Sequence, residues 1–494
     1  MSSSTFPALK TVGCSLGSPT PGWIAGGIAL AAVTGAALAL ANGDVRAFVL
    51  SVLCGAFVGA FLPVAIPFAY VLLAVTVPVA ILVEEVSGIP YLGGSPWGLT
   101  KLHPATIVIL VAAISYRFAH RQRWRTVWRK RTNVTWIRRA MLLFIAGVLA
   151  LSVIQLHPGG MIQVVENYLG PLMLFTLVLA EYQGRPQRVA ALTTFFVVLL
   201  TGVGVYGIVE YALRRNVWYG PLYAASPLAS QWYQTASLPD VYRITTTLGH
   251  PLTNAQYFLL AVVFAAGSLA GATGLRRALT GAALPVLVLA TIATGARTTL
   301  LLLATVPVFV LIIQRRIRAL AWGGVLVAIV YLAASYSPVG VVLQQRFSSA
   351  EGTSSALVRL RSIEVVPETL RSTNPLIGYK LGRSGEISSE LFASDVPIGF
   401  ENPWLMLLAD VGLPLTMLYV LIVARLLIAV LRMAWQSRAP AVTYAAVGAV
   451  AMVLMYSGYN SFGSKNTVNY LLWFSSALAL SAQPATPQRT APRD

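Results

Sequence analysis

Trp23-Ile-Ala-Gly-Gly-Ile-Ala-Leu-Ala-Ala-Val-Thr-Gly-Ala-Ala-Leu-Ala-Leu-Ala41 and Phe258-Leu-Leu-Ala-Val-Val-Phe-Ala-Ala-Gly267 are apolar on nearly every face. Strands of a membrane barrel alternate apolar and polar residues in short segments, and these runs do not, so they read as helices in lipid. The rest of the chain agrees. Of 494 residues, 57% are apolar and 10% charged, and the mean hydropathy is +0.73, a balance outside the range of water-soluble domains. Each span takes about 20 residues. The expected fold is an all-α polytopic membrane protein with about 12–14 transmembrane helices and a long extracytoplasmic loop containing short amphipathic helices.

Candidate spans fall at 22–41, 47–65, 67–84, 103–117, 140–156, 168–182, 189–210, 252–272, 278–294, 297–314, 319–336, 403–431, 441–458 and 467–482. Lys plus Arg number 35 against 16 Asp plus Glu. In a soluble chain that excess would point to nucleic acid; placed between hydrophobic spans it is the positive-inside pattern, and no nucleic-acid partner is expected. Arg117 to Arg139, Arg185 with Arg188, Arg276 with Arg277, Arg315 to Arg318, and Arg432 with Arg438 all fall on one side when the spans are counted, which makes that side cytoplasmic. The densest run, Arg117 to Arg139, interleaves nine Lys or Arg with Trp124, Trp128 and Trp136 and reads as a loop lying on anionic lipid headgroups. Residues 1–21 and 483–494 are then cytoplasmic tails around a transmembrane domain of 22–482, and the first apolar run is too long for a signal-peptide core. Cys14 and Cys54, the only cysteines, rule out a disulfide framework or a cysteine metal site.

The same parity puts the polar segments 85–102, 211–251 and 337–402 outside. The last holds seven of the acids (Glu351, Glu364, Glu368, Glu386, Glu390, Asp395 and Glu401) and suits a folded, water-facing lid. Leu357, Leu360 and Ile363 recur at helical spacing, with Leu370 further on, until Asn374-Pro375 and Gly378 break the pattern.

Charge at the edge of a bilayer is costly and marks candidate chemistry. Arg297, in Ala293-Thr-Gly-Ala-Arg-Thr-Thr299, opens a span with no acid nearby in sequence. It either snorkels to headgroups or, as a fork of donors backed by a helix N-terminus, holds a diphosphate. Arg243, in Tyr242-Arg-Ile-Thr-Thr-Thr-Leu-Gly-His-Pro251, is its natural second clamp. His250 fits three roles: general base, phosphate ligand, or cap of the next helix. Glu401 either complements the start of the helix at Asn402-Pro403 or serves as a base. Asp410, about two turns further on, suits packing better than catalysis. Tyr379, Lys380 and Arg383, just past Gly378, join Arg243, Arg297 and Asn402 as candidate substrate-binding residues.

Arg243, His250 and Pro251 before one span, Thr-Gly-Ala-Arg-Thr-Thr (Thr294 to Thr299) opening another, Asn-Pro-Leu-Ile-Gly (Asn374 to Gly378) in the long loop, then Glu-Asn-Pro-Trp-Leu (Glu401 to Leu405) and Asp-Val-Gly-Leu (Asp410 to Leu413) together resemble the O-antigen ligase and polymerase superfamily. The likeness covers roughly residues 200–430 and rests on the order and spacing of these motifs. It implies a multi-pass glycosyltransferase of the bacterial inner membrane, active on the extracytoplasmic face in polysaccharide biosynthesis for the cell envelope. A polyprenyl-diphosphate-linked glycan would be donor and a glycan or glycolipid hydroxyl the acceptor. Arg243 and Arg297 would stabilise the diphosphate as leaving group. In such ligases a histidine precedes the Asn at the end of the long loop and activates the acceptor. Here that place is Glu401, which tilts the reading toward a polysaccharide polymerase or a ligase-like relative with Glu401, or else His250, as base. Inversion at the anomeric carbon is expected, with no cofactor, and with no metal because no Asp-x-Asp or His/Asp cluster marks the outer segments. The competing reading is a polytopic lipid or glycan flippase or secondary transporter, whose site would lie midway through the membrane.

Overall fold

A backbone in hydrocarbon has to satisfy its own N–H and C=O groups. Among the residues described by the computed structural model (45–77, 103–129, 132–155, 159–219, 233, 242–315, 366–379, 381, 402–437, 439–458 and 467–481), it does so as helix, with no strand. In chain order the helices are α1 (Val45–Phe61), α2 (Ile66–Thr76), α3 (Pro104–Ala119), α4 (Arg121–Arg129), α5 (Thr132–Ile154), α6 (Gly159–Val164), α7 (Gly170–Tyr182) and α8 (Pro186–Leu213). They continue with α9 (Pro251–Gly271), α10 (Gly274–Ala293), α11 (Arg297–Ile313), α12 (Val366–Ser372), α13 (Pro403–Ser437), α14 (Pro440–Gly458) and α15 (Thr467–Ser481). Six stretches, Val134–Ile154, Pro186–Leu213, Pro251–Gly271, Gly274–Ala293, Pro403–Ser437 and Pro440–Ser457, are long and apolar enough to cross a membrane. Shorter apolar helices at Pro63–Thr76, Pro104–Ala119 and Arg297–Ile313 accompany them. The chain is therefore an all-α polytopic membrane protein. The expected spans 22–41 and 319–336 and both tails lie outside the described residues.

Every residue of α15 is buried, Trp473, Phe474 and Tyr470 among them, and α9 is buried along most of its length. These two form the centre. Around them, α1, α3, α5, α8, α10 and α13 keep large apolar side chains such as Leu53, Ile114, Leu143, Val198, Leu289 and Leu421 exposed. An apolar outer surface on a helical bundle is what lipid contact requires.

Three elements differ from the sequence expectation. Residues 117–139 are not a loop: α3 runs to Ala119, α4 occupies Arg121–Arg129, and α5 begins at Thr132 rather than at 140. Val134 and Ile137 are buried on its inner face, so this turn of helix is held by packing although Arg138 and Arg139 interrupt the apolar run. The span expected from 168 is led in by α6 and a π-helical turn, Val165–Leu169, which carries the buried Glu166. And α13 is broken at Gly412 (φ 75°, ψ 175°).

That break has a cause in the long loop. In an unbroken helix Leu413 N would donate to Ala409 O; instead it donates to Pro375 O (2.8 Å), while Ala409 O accepts from Tyr379 N (2.8 Å). A turn closed by Gly378 N to Asn374 O (2.7 Å) thus inserts its backbone into the helix ladder. A Cβ on Gly378 would lie 2.5 Å from the Asp410 carbonyl, and one on Gly412 2.6 Å from that of Leu376. Both glycines have positive φ, so any other residue is excluded twice over.

Candidate functional site

Among the described residues, Arg243, His250 and Arg297 lie at one end of the bundle, where α2, α8 and α10 finish and α3, α9, α11 and α15 begin. Glu210, in the last turn of α8, is fully buried and accepts from Tyr242 OH (2.9 Å), Thr245 N (2.8 Å), Thr245 Oγ1 (3.0 Å) and Thr246 N (2.8 Å). Burial, with Glu210 beside it, raises the Tyr242 phenol far above its ordinary pKa and keeps it a donor. Asn216 donates to Thr245 Oγ1 (2.7 Å) and Thr246 O (3.0 Å), and Asn254, in the first turn of α9, donates to Thr245 O (2.6 Å) and accepts from Thr246 Oγ1. Thr246 is held at φ 46°. That left-handed conformation is costly for a β-branched residue and persists only where its surroundings determine it. Thr247 Oγ1 donates to Val75 O (2.7 Å), fastening the loop to the end of α2.

Arg243 therefore leaves a backbone pinned on its C-terminal side. Its Nε donates to Thr294 O (3.0 Å), and the next residue, Ile244, donates from N to Ala293 O (3.4 Å). The turn it reaches, Thr294 to Ala296, leads into α11, whose first residue is Arg297. Ala296, at the N-cap, offers α11 no side-chain cap, and the first-turn N–H groups of a helix have no acceptor within the helix itself. Thr299 Oγ1, buried within that turn, has no hydrogen-bond partner among the described residues.

His250 caps α9: its Nδ1 accepts from Leu252 N (3.2 Å). His103-Pro104 repeats the device at α3, with Nδ1 accepting from Ala105 N (3.2 Å). A ring nitrogen that accepts from an amide carries no proton, which assigns the neutral His250 proton to Nε2. Burial, and secondly the Arg243 guanidinium, lower its pKa to about 3. His250 is thus within electrostatic reach of Arg243 but engaged in the helix cap.

The loop and α13 candidates are fixed by other contacts. Tyr379 joins α13 through Ala409 O, and Asn402 caps α13, its Oδ1 accepting from Trp404 N (2.9 Å). Asp410 is buried where the Asn374–Gly378 turn docks. Two motifs about 30 residues apart in the chain, Asn374 to Gly378 and Asp410 to Leu413, are therefore one structural unit. Glu401, Lys380 and Arg383 lie outside the described residues.

Sequence reasoning passed over the buried carboxylates. Glu166 accepts from Thr106 Oγ1 (2.7 Å) and His103 N (3.3 Å), and Thr106 Oγ1 also meets Tyr470 OH (2.7 Å). Asn469 accepts from Tyr419 OH (2.8 Å) and Trp473 Nε1 (3.1 Å) and donates to Asn167 O. At the opposite end, Glu181 is ringed by Arg123 (3.3 Å), Arg185 (3.6 Å), Arg188 (3.2 Å) and Tyr116 OH (2.7 Å). The signal was a lone acid in an apolar stretch, which lipid tolerates only with partners. Among the described residues no group of three or more His, Cys, Asp or Glu gathers where a metal ion could bind. No protein-family model matches the chain, and no curated protein matches it.

Proposed function

We propose that this protein is a membrane glycosyltransferase that joins a polyprenyl-diphosphate-linked glycan to a sugar hydroxyl, as a polysaccharide polymerase or an O-antigen-ligase-like enzyme, on the extracytoplasmic face of a bacterial inner membrane. The observation that carries this reading is the junction of the two arginine loops. Arg243 is hydrogen-bonded to the turn that delivers Arg297 to a helix N-terminus whose N-cap residue, Ala296, supplies no side-chain bond, and a helix N-terminus beside guanidinium groups is a natural anion site. The union of the Asn374–Gly378 turn with the Asp410–Leu413 break lends further support, because both segments belong to the motif set that resembles the ligase and polymerase superfamily.

In this reading the acceptor hydroxyl oxygen attacks the anomeric carbon and forms the new C–O bond as the bond to the diphosphate oxygen breaks. The electron pair leaves with the lipid diphosphate, where Arg243 and Arg297 meet the developing charge. The hydroxyl proton passes to the Glu401 carboxylate, next to the helix-capping Asn402. Attack opposite the leaving group inverts the anomeric centre. His250 holds the loop rather than accepting this proton, since its Nδ1 is already occupied.

The test is transfer by purified protein in detergent, given lipid-linked glycan and acceptor with no ion gradient. The parent is expected to give covalent product, with Arg297→Ala expressed normally but inactive and Glu401→Gln binding donor without turnover. Near-normal transfer by Arg297→Ala removes that residue from the site. Transport in liposomes with no covalent product would support a flippase or transporter instead.

A further inference from the structure

At the end of the bundle away from the arginine loops, a cleft of about 230 Å³ opens among α3, α4, α5 and α7. Its walls include Leu110, Leu142 and Met173, with Trp124 of α4 on one side and Arg117 and Arg138 at the polar margin. No acid lines it among the described residues. Ile114, on that wall, is exposed, and so are Phe118 one turn further along α3 and Leu143 next to Leu142 in α5.

The cleft does not depend on an occupant for its shape. Arg123 ties α4 to Glu181 (3.3 Å), and the Trp124 ring packs 6.0 Å from that of Tyr116, whose hydroxyl is bonded to the same carboxylate. Arg123 is paired with Glu181, while the residues that line the cleft include Arg117 and Arg138.

Two guanidinium groups beside an apolar wall select for an amphiphile with an anionic head. A soluble anion would meet the arginines and leave the wall unused. A zwitterionic headgroup would bring its own cation toward two positive charges. The volume corresponds to roughly eight water molecules' share of the liquid, room for a phosphate and a glycerol but not for acyl chains. Those chains would run along the exposed Ile114 and Leu143 outside. We propose that this cleft holds one anionic phospholipid of the adjacent leaflet, with its phosphate at Arg117 and Arg138. The site is independent of the glycan-transfer reading.

The experiment uses the full chain, delipidated in detergent, with phosphatidylglycerol or phosphatidylcholine added and bound lipid counted by native mass spectrometry. Phosphatidylglycerol is expected to be retained about tenfold more strongly, and R117Q/R138Q to bring it down to the phosphatidylcholine level. Leu142→Trp leaves both arginines in place while filling the cleft, and should also lower retention; it decides the matter if the double variant does not fold. Equal retention of the two lipids would overturn the proposal, as would undiminished phosphatidylglycerol binding by the variants. So would inorganic phosphate protecting the protein from heat as well as the lipid does, since the occupant would then be a soluble anion.

Discussion

Glu210→Gln is the most informative single change at the arginine end. The native carboxylate accepts four hydrogen bonds, three at Oε1 and one from Thr246 N at Oε2. A glutamine oxygen can take over one side only, and the amide nitrogen on the other side is itself a donor. The substitution therefore loses one bond to a charged acceptor, about 1.5–3 kcal/mol, and leaves a buried amide facing another donor, about 1–3 kcal/mol more. Partial relaxation brings the expected loss to about 3 kcal/mol. The relaxation has a direction. Thr246 carries roughly 1–3 kcal/mol of strain at φ 46°, so weakening its tether lets the segment swing and shifts Arg243 away from Thr294. Thermal melting in detergent should show a drop of several degrees, and binding of lipid-linked donor should weaken more than the turnover of bound donor. A variant that melts like the parent and binds donor equally well would show that Glu210 does not set the position of Arg243.

Three further outcomes follow from buried groups and the helix break. Glu181→Gln leaves three arginines facing one another; because their side chains are 37–55% exposed, solvent screens part of the repulsion. The expected loss is about 2–3 kcal/mol, below that of a fully buried broken pair, read as lower yield and melting midpoint and refuted by parental values. Gly412→Ala forces a Cβ to 2.6 Å from the Leu376 carbonyl at a positive φ. It should undock the 374–378 turn and speed tryptic cleavage at Arg371, which an unchanged digestion rate would contradict. His250, with its pKa lowered to about 3, is neutral when folded while the unfolded chain protonates near 6.5. Its stabilisation is complete above about pH 6.5 and declines as pH falls toward 3. His250→Asn keeps an acceptor at the cap, so its melting midpoint should fall less than the parent's between about pH 7.5 and about pH 5; equal falls would refute this.

The helices were legible because lipid imposes a local rule: about 20 apolar residues must come in succession, and the runs at 189–210, 252–272 and 278–294 reappear as α8, α9 and α10. What eluded the sequence was set by partners far along the chain. Thr106 meets Tyr470 across 364 residues, and α13 breaks at Gly412 because a loop some 30 positions earlier supplies the exchange of hydrogen bonds. The expected span 403–431 ran unbroken through Gly412 and Pro414, because nothing local to it reveals the loop that docks there. Arg243 and Arg297 stood out as isolated charges. Glu210 did not, because a single acid at the end of an apolar run resembles an ordinary span boundary until its four donors are in view.

The two ends of the bundle use their acids differently, and the difference bears on function. Glu181 binds guanidinium groups, so at that end a carboxylate offsets positive charge inside the protein. Glu210, in the last turn of α8, holds the loop that carries Arg243, and its described bonds come from a phenol, a hydroxyl and two backbone amides. Neutral donors stabilise the carboxylate through hydrogen bonds without cancelling an arginine's charge. The acid thus holds the Thr245–Thr246 segment while Arg243, just before it, reaches the carbonyl of Thr294, in the turn that leads into α11. Replacing Glu210 therefore tests the architecture of the proposed site, and replacing Arg297 tests its chemistry.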